Sequence, residues 1–473
     1  MVTVTQTISN PTAGASEATP TAKVERMTLL AVALGAMLAP LNTTMMAVAI
    51  PNAMGEFNAG LASASWLITA YLVTLASLMP VAGRLGDMLG HRRLILGGLT
   101  LFGISSIAAA LAPNLLVLIC FRVLQATAAA LILPNGIAVV RNVVPEERRG
   151  RGVGLIGAAV AVAVASGPVL GSMLLEMVGW RDLFYVNLLL VLPAVAIGWR
   201  WLPKISVRPA GNRFDIVGAL MLLIILLGSA WLVISIGKGE AFGALCLGAL
   251  ALIAVVIVFV RHELRHPGPV IQPSFFRRRA FVAAIGSGGL INLAFYTVLL
   301  GVPILLASRI SASGLEAGLV LMALPAAMIV TFPFGGRLAD TFGRRLPTTV
   351  GLGLLALGIA PMAITGADVA DLLVLVISVV FVGIGVGLAA PGLQTAVVES
   401  VDKGAAGVAS GVYSTSLYLG GITASAILGG LLGADHGNVD ALGILFVIGL
   451  IAALIATFTS LGLRARPAQR RAD

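Results

Sequence analysis

The sequence predicts an all-α integral membrane protein: fourteen transmembrane helices in two six-helix bundles, with two helices inserted between them. Three observations carry this prediction, namely the composition, a series of long apolar runs, and a polar segment that occurs twice. Hydrophobic residues make up 59% of the 473 residues and charged residues only 11%, and the mean hydropathy is +1.04. These values exclude an ordinary soluble domain, because so much apolar surface must face lipid.

The repeated segment covers residues 83–93 and returns at 336–345, each time between two apolar runs. Six of ten aligned positions are identical: Gly83/Gly336, Arg84/Arg337, Leu85/Leu338, Asp87/Asp340, Gly90/Gly343 and Arg92/Arg345. Glycine permits a tight turn and a close helix approach, and an acid and an arginine can pair across a helix end. We interpret both copies as gating latches at the inner face, made by Gly83, Asp87, Gly90, Arg92 and Arg93, and by Gly336, Asp340, Gly343, Arg344 and Arg345.

A helix needs about 20 apolar residues to cross a bilayer. Fourteen runs qualify, near 27–50, 62–82, 94–112, 114–139, 152–175, 183–202, 215–236, 242–260, 281–305, 315–335, 347–366, 371–395, 405–433 and 440–463. Placing each repeated segment second in a six-helix unit divides the chain. The divisions are a disordered cytoplasmic tail (1–26), an N-terminal bundle (27–202), cytoplasmic connections with two inserted helices (203–280), a C-terminal bundle (281–463) and a basic tail (464–473).

The positive charges predict the orientation. With the N-terminal tail inside, the inner tails and loops hold 26 of the 30 Lys and Arg residues, the outer loops hold Arg181, Lys238 and Arg309, and Arg122 lies within a span. This asymmetry is typical of positive-inside topology and predicts two cytoplasmic termini. The net charge of +10 does not indicate nucleic-acid binding, because the arginines lie in short loops rather than on one face.

Further motifs occur in order along the first half. They are Leu41-Asn42-Thr43-Thr44, Arg122-Val123-Leu124-Gln125, Gly167-Pro168-Val169-Leu170-Gly171 and Gly179-Trp180-Arg181. Together with the repeated segment they resemble the major facilitator superfamily, and within it the 14-span drug:proton antiporter family of QacA- and EmrB-like exporters. The resemblance covers residues 27–463. It implies the major facilitator fold and a monomeric secondary active transporter in the bacterial inner membrane, which exports small amphipathic compounds by alternating access in exchange for protons, without a cofactor.

Asn42 departs from the resemblance, since the family usually carries an aspartate there. As a neutral amide it can line a cavity or bridge helices. Loss of the acid weakens selection for cations and leaves Arg122 to favour neutral or anionic substrates. Ala126 and Ser172 replace two glycines of the family motifs by other small residues.

Arg122 is the main candidate for substrate binding or coupling, because a charge within a span is usually functional. The alternative is a structural cation bonded to backbone carbonyls and to Gln125, one turn away. Other candidate cavity residues are polar, aromatic or flexible side chains of the predicted spans: Asn42, Met46, Trp66, Tyr71, Asn292, Tyr296 and Gln394.

The proton carrier is not evident, because none of the twenty acids lies at the middle of a predicted span. The remaining candidates, near span ends, are Glu176, Glu316 and Glu399. Gly167, Pro168 and Gly171 form the motif that the resemblance assigns to antiporters, and Pro168 is expected to bend its helix.

Two alternatives to drug export remain open. One is an exporter or facilitator of a neutral or anionic metabolite without proton coupling. The other is an intramembrane zinc protease, because His262-Glu263-Leu264-Arg265-His266 fits the H-E-x-x-H pattern. That pattern lacks a convincing third ligand, so we expect neither a metal nor an enzyme. The sequence contains no P-loop, and ATP is therefore not expected to drive transport.

Overall fold

The computed structural model describes residues 22–59, 64, 66–204, 215–237, 242–266, 269–306, 314–366, 372–434 and 441–465. Within these ranges the ordered elements are helices and no strand is present. The long helices are α1 (Ala22–Phe57), α2 (Trp66–Leu89), α3 (His91–Ala110), α4 (Leu115–Val143), α5 (Arg149–Met177), α6 (Asp182–Trp201), α7 (Ile216–Gly237), α8 (Phe242–Arg265), α9 (Arg279–Leu305), α10 (Gly314–Phe342), α11 (Arg345–Thr365), α12 (Leu372–Glu399), α13 (Ala406–Ala434) and α14 (Ala441–Ser460).

Each predicted span overlaps one of these helices. By length and hydropathy, twelve stretches of the described chain are able to cross a membrane. The two long helices outside this set are α7, of which Ile216–Ser229 counts as a shorter apolar helix, and α13; only described residues enter the count. The count of fourteen crossings therefore stays a prediction. Helix α1 begins at Ala22, within the predicted tail; residues 1–21 and 466–473 lie outside the described residues.

Two six-helix bundles form the body of the molecule. Helices α1–α6 pack on one another, as do α9–α14, and the two bundles meet through α5 against α10 and α2 against α13. Each bundle has its own apolar core, with Phe102 and Phe184 buried in the first and Phe281 and Phe446 in the second. We call the end of the molecule that carries the repeated segments the inner end.

The inserted helices α7 and α8 form a hairpin beside the bundles. Helix α7 packs against α8, α2 and α13, so it covers the line along which α2 meets α13. Trp231 of α7 fits against Gly248 of α8, where a Cβ would lie 2.5 Å from the indole ring. The candidate spans with the highest mean hydropathy, 2.9 each, are Gly243–Arg265 of α8 and Leu372–Glu399. Only 6% of the α8 span is buried, as expected for a lipid-facing helix.

Polar contacts join α1, α3 and α6 at the opposite, outer end. The carboxylate of Glu56 accepts hydrogen bonds from Trp180 Nε1 at 2.6 Å and from Arg181 Nη2 at 2.6 Å. Arg181 Nη1 also donates to the carbonyl of Ala110 at 2.7 Å. The bond from Arg181, followed by the bond from Trp180, holds the pKa of Glu56 below its usual value, because both favour the charged carboxylate.

Candidate functional site: inner latches and a buried arginine

Asp87, near the end of α2, contacts the first turn of α13 in the other bundle. Its two carboxylate oxygens accept hydrogen bonds from the backbone N–H groups of Gly407 and Val408, each at 3.0 Å. The first N–H groups of a helix have no partner within it, and they attract negative charge. We call this contact the first latch.

Asp340 makes the equivalent contact in the opposite direction. From α10 of the second bundle it accepts hydrogen bonds from the N–H groups of Gly150 and Arg151, at the start of α5, at 2.8 Å each. We call this contact the second latch. Gly150 and Gly407 are equivalent in sequence, since each follows a helical proline, Pro134 or Pro391, by 16 residues. The bundles are thus joined at the inner end by two contacts related by a pseudo-twofold axis.

The glycines of the repeated segment allow the bundles to approach. A Cβ at Gly83 would overlap the carbonyl oxygen of Gly407, and a Cβ at Gly336 would overlap that of Gly150. Gly90 and Gly343 have φ values of 98° and 84°, a region that favours glycine and that turns the chain sharply into α3 and α11. The predicted role of these glycines in a tight turn and a close helix approach agrees with this geometry.

Ion pairs reinforce the second latch. Arg344 Nη1 lies 2.6 Å from Asp340 Oδ1, and Arg344 Nη2 donates to Glu399 Oε1 at 2.9 Å. Arg149 of the other bundle lies 3.7 Å from the same oxygen of Glu399. Burial lowers the pKa of Arg344, but the bonds to Glu399 and Asp340 outweigh it and raise that pKa above its ordinary value. Glu399, a candidate proton carrier, therefore lies in this ion-pair network at the inner end.

Arginines also bond to backbone carbonyls across the inner end. Arg141 of the first bundle donates to Val401 at 2.7 Å and to Asp402 at 3.0 Å. Arg92 donates to Trp199 at 2.5 Å within the first bundle. The other two basic residues of the gating prediction, Arg93 and Arg345, are exposed and half-buried, respectively, and make no latch contact in the described chain.

The buried Arg122 lies at the centre of a polar network inside the first bundle. Its Nε donates to the carbonyl of Leu67 at 2.9 Å, and its Nη1 donates to Gln125 Oε1 at 3.0 Å and to Asn42 Oδ1. The guanidinium carbon also stands 4.2 Å from the centre of the Tyr71 ring, a cation–π contact. Four predicted site residues are thus brought together from α1, α2 and α4.

The network continues away from Arg122 and leaves some groups without partners. Gln125 Nε2 donates to Ser106 Oγ at 2.8 Å, and Asn187 Nδ2 donates to the same oxygen at 3.3 Å. Arg122 Nη2 and Asn42 Nδ2 are buried without a hydrogen-bond partner among the described residues. In this conformation Arg122 makes the bonds expected of a structural cation, and it also keeps one unused donor.

Helices α9, α12 and α13 place a second group of predicted residues in the other bundle. Asn292 donates to the carbonyl of Leu417 at 2.5 Å, and Gln394 donates to Ser410 Oγ at 3.1 Å. The ring of Tyr296 packs beside Gly421. Tyr418 of α13, which the sequence analysis missed, packs against the core of the first bundle that contains Tyr71. The rarity of tyrosine was the signal that could have indicated Tyr418, since the chain has only five tyrosines.

Other predicted residues lie apart from these groups. Trp66 is 52% exposed, and Met46 is packed in the apolar core of the first bundle. Glu176 is exposed at the end of α5, and Glu316 lies in the first turn of α10, with its side chain outside the described ones. Trp66, Met46 and Glu176 therefore take no part in the Arg122 network.

The motif of α5 has a packing role at one position. A Cβ at Gly167 would overlap Thr44 Oγ1 and lie 3.4 Å from the carbonyl of Leu41, so this glycine lets α5 approach α1. Gly171 is buried. Helix α5 is continuous through Pro168, and the bend predicted there stays a prediction.

Both histidines of the H-E-x-x-H segment lie beside Asp215, just before α7, with His266 Nδ1 at 3.6 Å from Asp215 Oδ2. His262 Nε2 lies 2.8 Å from Asp215 Oδ2, and Glu263 Oε2 accepts a bond from the N–H of Ile271 at 3.1 Å. Burial raises the pKa of Asp215, but the bonds from Gly218 and His262 outweigh it, and the pKa lies below its usual value. In the described ranges no set of three His, Cys, Asp or Glu side chains is arranged to hold a metal.

Comparison with known families agrees with this architecture. The model of the Major Facilitator Superfamily matches residues 32–425 and 284–473. The chain belongs to the major facilitator superfamily. Members of this family are membrane transporters, and this major facilitator accordingly lies in a lipid bilayer as a multi-pass protein and carries a small molecule.

Similar proteins of the superfamily include several bacterial transporters. The uncharacterized MFS-type transporter YvkA of Bacillus subtilis (strain 168) is 32% identical over 92% of this chain and 95% of its own length. The tetracenomycin C resistance and export protein of Streptomyces glaucescens is 31% identical, over 87% of this chain and 77% of its own. The riboflavin transporter RibZ of Clostridioides difficile (strain 630) is 29% identical, over 77% and 79%.

A solved transporter structure has a similar fold. The crystal structure of the human organic anion transporter MFSD10 (TETRAN) aligns with a TM-score of 0.64 at 16% identity, over 91% of this chain and 99% of that one. The helical bundles are thus those of a major facilitator transporter. Membership of the 14-span antiporter family, cytoplasmic termini and a monomeric state stay predictions.

Proposed function

We propose that this major facilitator exports small amphipathic compounds from the bacterial cytoplasm across the inner membrane by alternating access, in exchange for protons. The observation that carries the proposal is the pair of reciprocal latches, in which Asp87 and Asp340 each bind the other bundle. Two such contacts close the inner end, and their release would let the bundles rock apart around a site between them. Similarity to a tetracenomycin C export protein supports the direction of transport.

A specific observation favours a second candidate function, transport of a neutral or anionic metabolite without proton coupling. Within the described part of the chain, Arg122 has no carboxylate among its hydrogen-bond partners, and its Nη2 is unused. A buried cation of this kind would favour an anionic or electron-rich ligand. Similarity to a riboflavin transporter supports a substrate other than a drug.

Accumulation of fluorescent cationic and anionic compounds in efflux-deficient cells, with and without an uncoupler, tests both candidates. Proton-driven export predicts lower accumulation in expressing cells, and this difference disappears with the uncoupler. A facilitator predicts a difference that survives the uncoupler. The inactive control is the double variant Asp87→Asn/Asp340→Asn, and the matched active control is Glu147→Gln, an exposed acid near the same inner end. Equal accumulation of every compound in all cells would contradict the export proposal.

A further inference from the structure

The two inner latches differ at one position of the repeated segment. Arg344 follows Asp340 by four residues, whereas His91 follows Asp87 at the equivalent place. Nε2 of His91 lies 3.4 Å from Oδ1 of Asp87. Guanidinium groups stay charged in proteins, while an unperturbed imidazole has a pKa of about 6.5 and changes charge near neutrality. The first latch therefore contains a titratable cation where the second has a permanent one.

Asn135 of α4 determines which imidazole nitrogen carries hydrogen. Its Oδ1 lies 2.7 Å from His91 Nδ1. Its Nδ2 donates to the carbonyls of Leu131 at 2.8 Å and Ala82 at 3.1 Å, so the amide orientation is fixed by two acceptors. Oδ1 is thus an acceptor facing the ring, and His91 Nδ1 must be the donor.

With hydrogen on Nδ1, Nε2 of the neutral ring carries no hydrogen. Without a further proton, the neutral Nε2 lies 3.4 Å from the carboxylate of Asp87, whose side chain is 1% exposed. A nitrogen lone pair and a carboxylate close together in a buried site repel each other, and a proton on the imidazole converts the contact into an ion pair. The protonated pair has the same charges as Asp340 with Arg344.

The surrounding residues are fitted to this arrangement. A Cβ at Gly86 would overlap Asn135 Oδ1 and lie 2.7 Å from His91 Nδ1. In the second latch the equivalents of Gly86 and Asn135 are Ala339 and Gly392. The first latch thus has glycine on the helix of the aspartate and asparagine on the facing helix, whereas the second has alanine and glycine at these positions. Only the first latch therefore has room for the amide.

The charged neighbours of the pair with described side chains are arginines. Arg84, on the same helix as Asp87, and Arg141, from α4, both act on the Asp87 carboxylate. Arg92 points to Trp199. Helix α7 has no titratable side chain, and α13 contributes the N–H groups of Gly407 and Val408. The turn before α13 carries Lys403, whose side chain lies outside the described ones.

We propose that Asp87, His91 and Asn135 form a proton-binding site within the first latch, and that a proton bound there keeps the inner end closed. Release of the proton restores the repulsion between His91 and Asp87 and weakens the hold of α2 on α13. The inference rests on the proposed alternating access. It also provides a proton site although no acid lies at the middle of a predicted span.

The test measures the opening of the inner end directly. Spin labels at Glu147 and Gly404, exposed and equivalent positions of the two bundles, are introduced into the Cys120→Ser/Cys246→Ser protein in lipid nanodiscs. Distances between the labels are recorded by pulsed electron paramagnetic resonance from pH 5.5 to 8.5. For one linked proton, the ratio of closed to open molecules falls by up to about tenfold per pH unit.

The variants separate the proposal from general pH effects. We expect His91→Arg to stay closed over the whole range, and Arg344→His to gain a second titration. His262→Gln, which changes a histidine outside the latch, should keep the wild-type transition. Absence of a transition in the wild type, or an unchanged transition in His91→Arg, would overturn the proposal. No transported compound is needed, so a failed export assay and a failed proton site are distinguishable.

Discussion

Asp87 and Asp340 are 253 positions apart in numbering, yet each accepts two backbone hydrogen bonds from the first turn of a helix in the opposite bundle. Asp87 bonds to Gly407 and Val408 at 3.0 Å, and Asp340 bonds to Gly150 and Arg151 at 2.8 Å. Hydrogen bonds to a charged group contribute about 1.5–3 kcal/mol each. The reciprocal pair therefore holds the two bundles together at the inner end.

Replacing one aspartate should release one helix start and leave the other in place. In Asp87→Asn we expect faster hydrogen exchange at the amides of Gly407 and Val408, with Gly150 and Arg151 unchanged, because one acceptor oxygen and the charge are lost. Asp340→Asn should give the reverse pattern. Hydrogen-exchange mass spectrometry measures both. Equal changes at both helix starts would contradict two separate latches.

A methyl group at Gly83 should hold the bundles apart. Gly83→Ala places its Cβ against the carbonyl of Gly407, whereas Gly97→Ala meets no atom within 4 Å. We expect the distance between spin labels at Glu147 and Gly404 to increase in Gly83→Ala, in the Cys120→Ser/Cys246→Ser protein. The same distance should stay at the parent value in Gly97→Ala, and an increase there would show that helical glycines matter for another reason.

An acid at position 42 should stabilise the first bundle. Asn42→Asp gives Arg122 a carboxylate partner and removes the unpartnered Nδ2; a charge-assisted bond is worth about 1.5–3 kcal/mol. We expect a higher Tm and a shift of export toward cationic compounds. Asn292→Asp is the matched control, because it removes the donor to Leu417 and should lower the Tm. A lower Tm in Asn42→Asp would contradict this account of Arg122.

Glu399 should act in closure and not in proton coupling. Glu399→Gln removes the charge beside Arg344 and Arg149, so the distance between spin labels at Glu147 and Gly404 should increase while export stays sensitive to an uncoupler. The raised pKa of Arg344 stabilises the folded protein below the unfolded value, and this contribution is lost only as the pH rises through the folded value. Both values lie far above neutrality for an arginine. The contribution of Arg344 should therefore be constant from pH 5 to 9. Export that becomes insensitive to the uncoupler would assign Glu399 to coupling instead.

The outer contact of Glu56 should weaken in acid. Its pKa is lowered in the folded protein, so its stabilising contribution is present above the unfolded value of about 4.5 and is lost as the pH falls through the folded value. Thermal unfolding in detergent should show a lower Tm for Glu56→Gln than for the wild type at pH 7. The difference should shrink below about pH 4. A constant difference would assign the stability to packing of Trp180.

Much of the fold could be predicted from the sequence, because apolar runs and charge asymmetry are local signals. Helices α1–α14 each overlap a predicted span, and the inserted pair α7–α8 occupies the predicted place. The first residue of each helix was less predictable. Helix α1, for example, begins at Ala22, because it extends beyond the apolar run into polar residues. The twelve candidate spans are counted over the described residues only, so the fourteen crossings stay a prediction.

The site was only partly predictable. Arg122 and Gln125 are one turn apart on a helix, so their contact follows from spacing. Trp66 and Met46 were predicted to line the cavity because their side chains are aromatic and flexible, respectively. In the structure Trp66 lies at an exposed helix end, and Met46 lies in an apolar core. Sequence spacing does not specify helix rotation, which decides whether a side chain faces a cavity, lipid or a neighbouring helix.

The sequence by itself determined the membrane class, the two similar halves and the need for glycine at the repeated turns, because each depends on composition or on residues close together in the chain. Tertiary structure alone decided that Asp87 meets Gly407, that His91 meets Asn135, and that Glu399 pairs with Arg344 at the inner end. These contacts depend on how the two bundles pack, because each one joins residues that are far apart in the chain and lie on different helices.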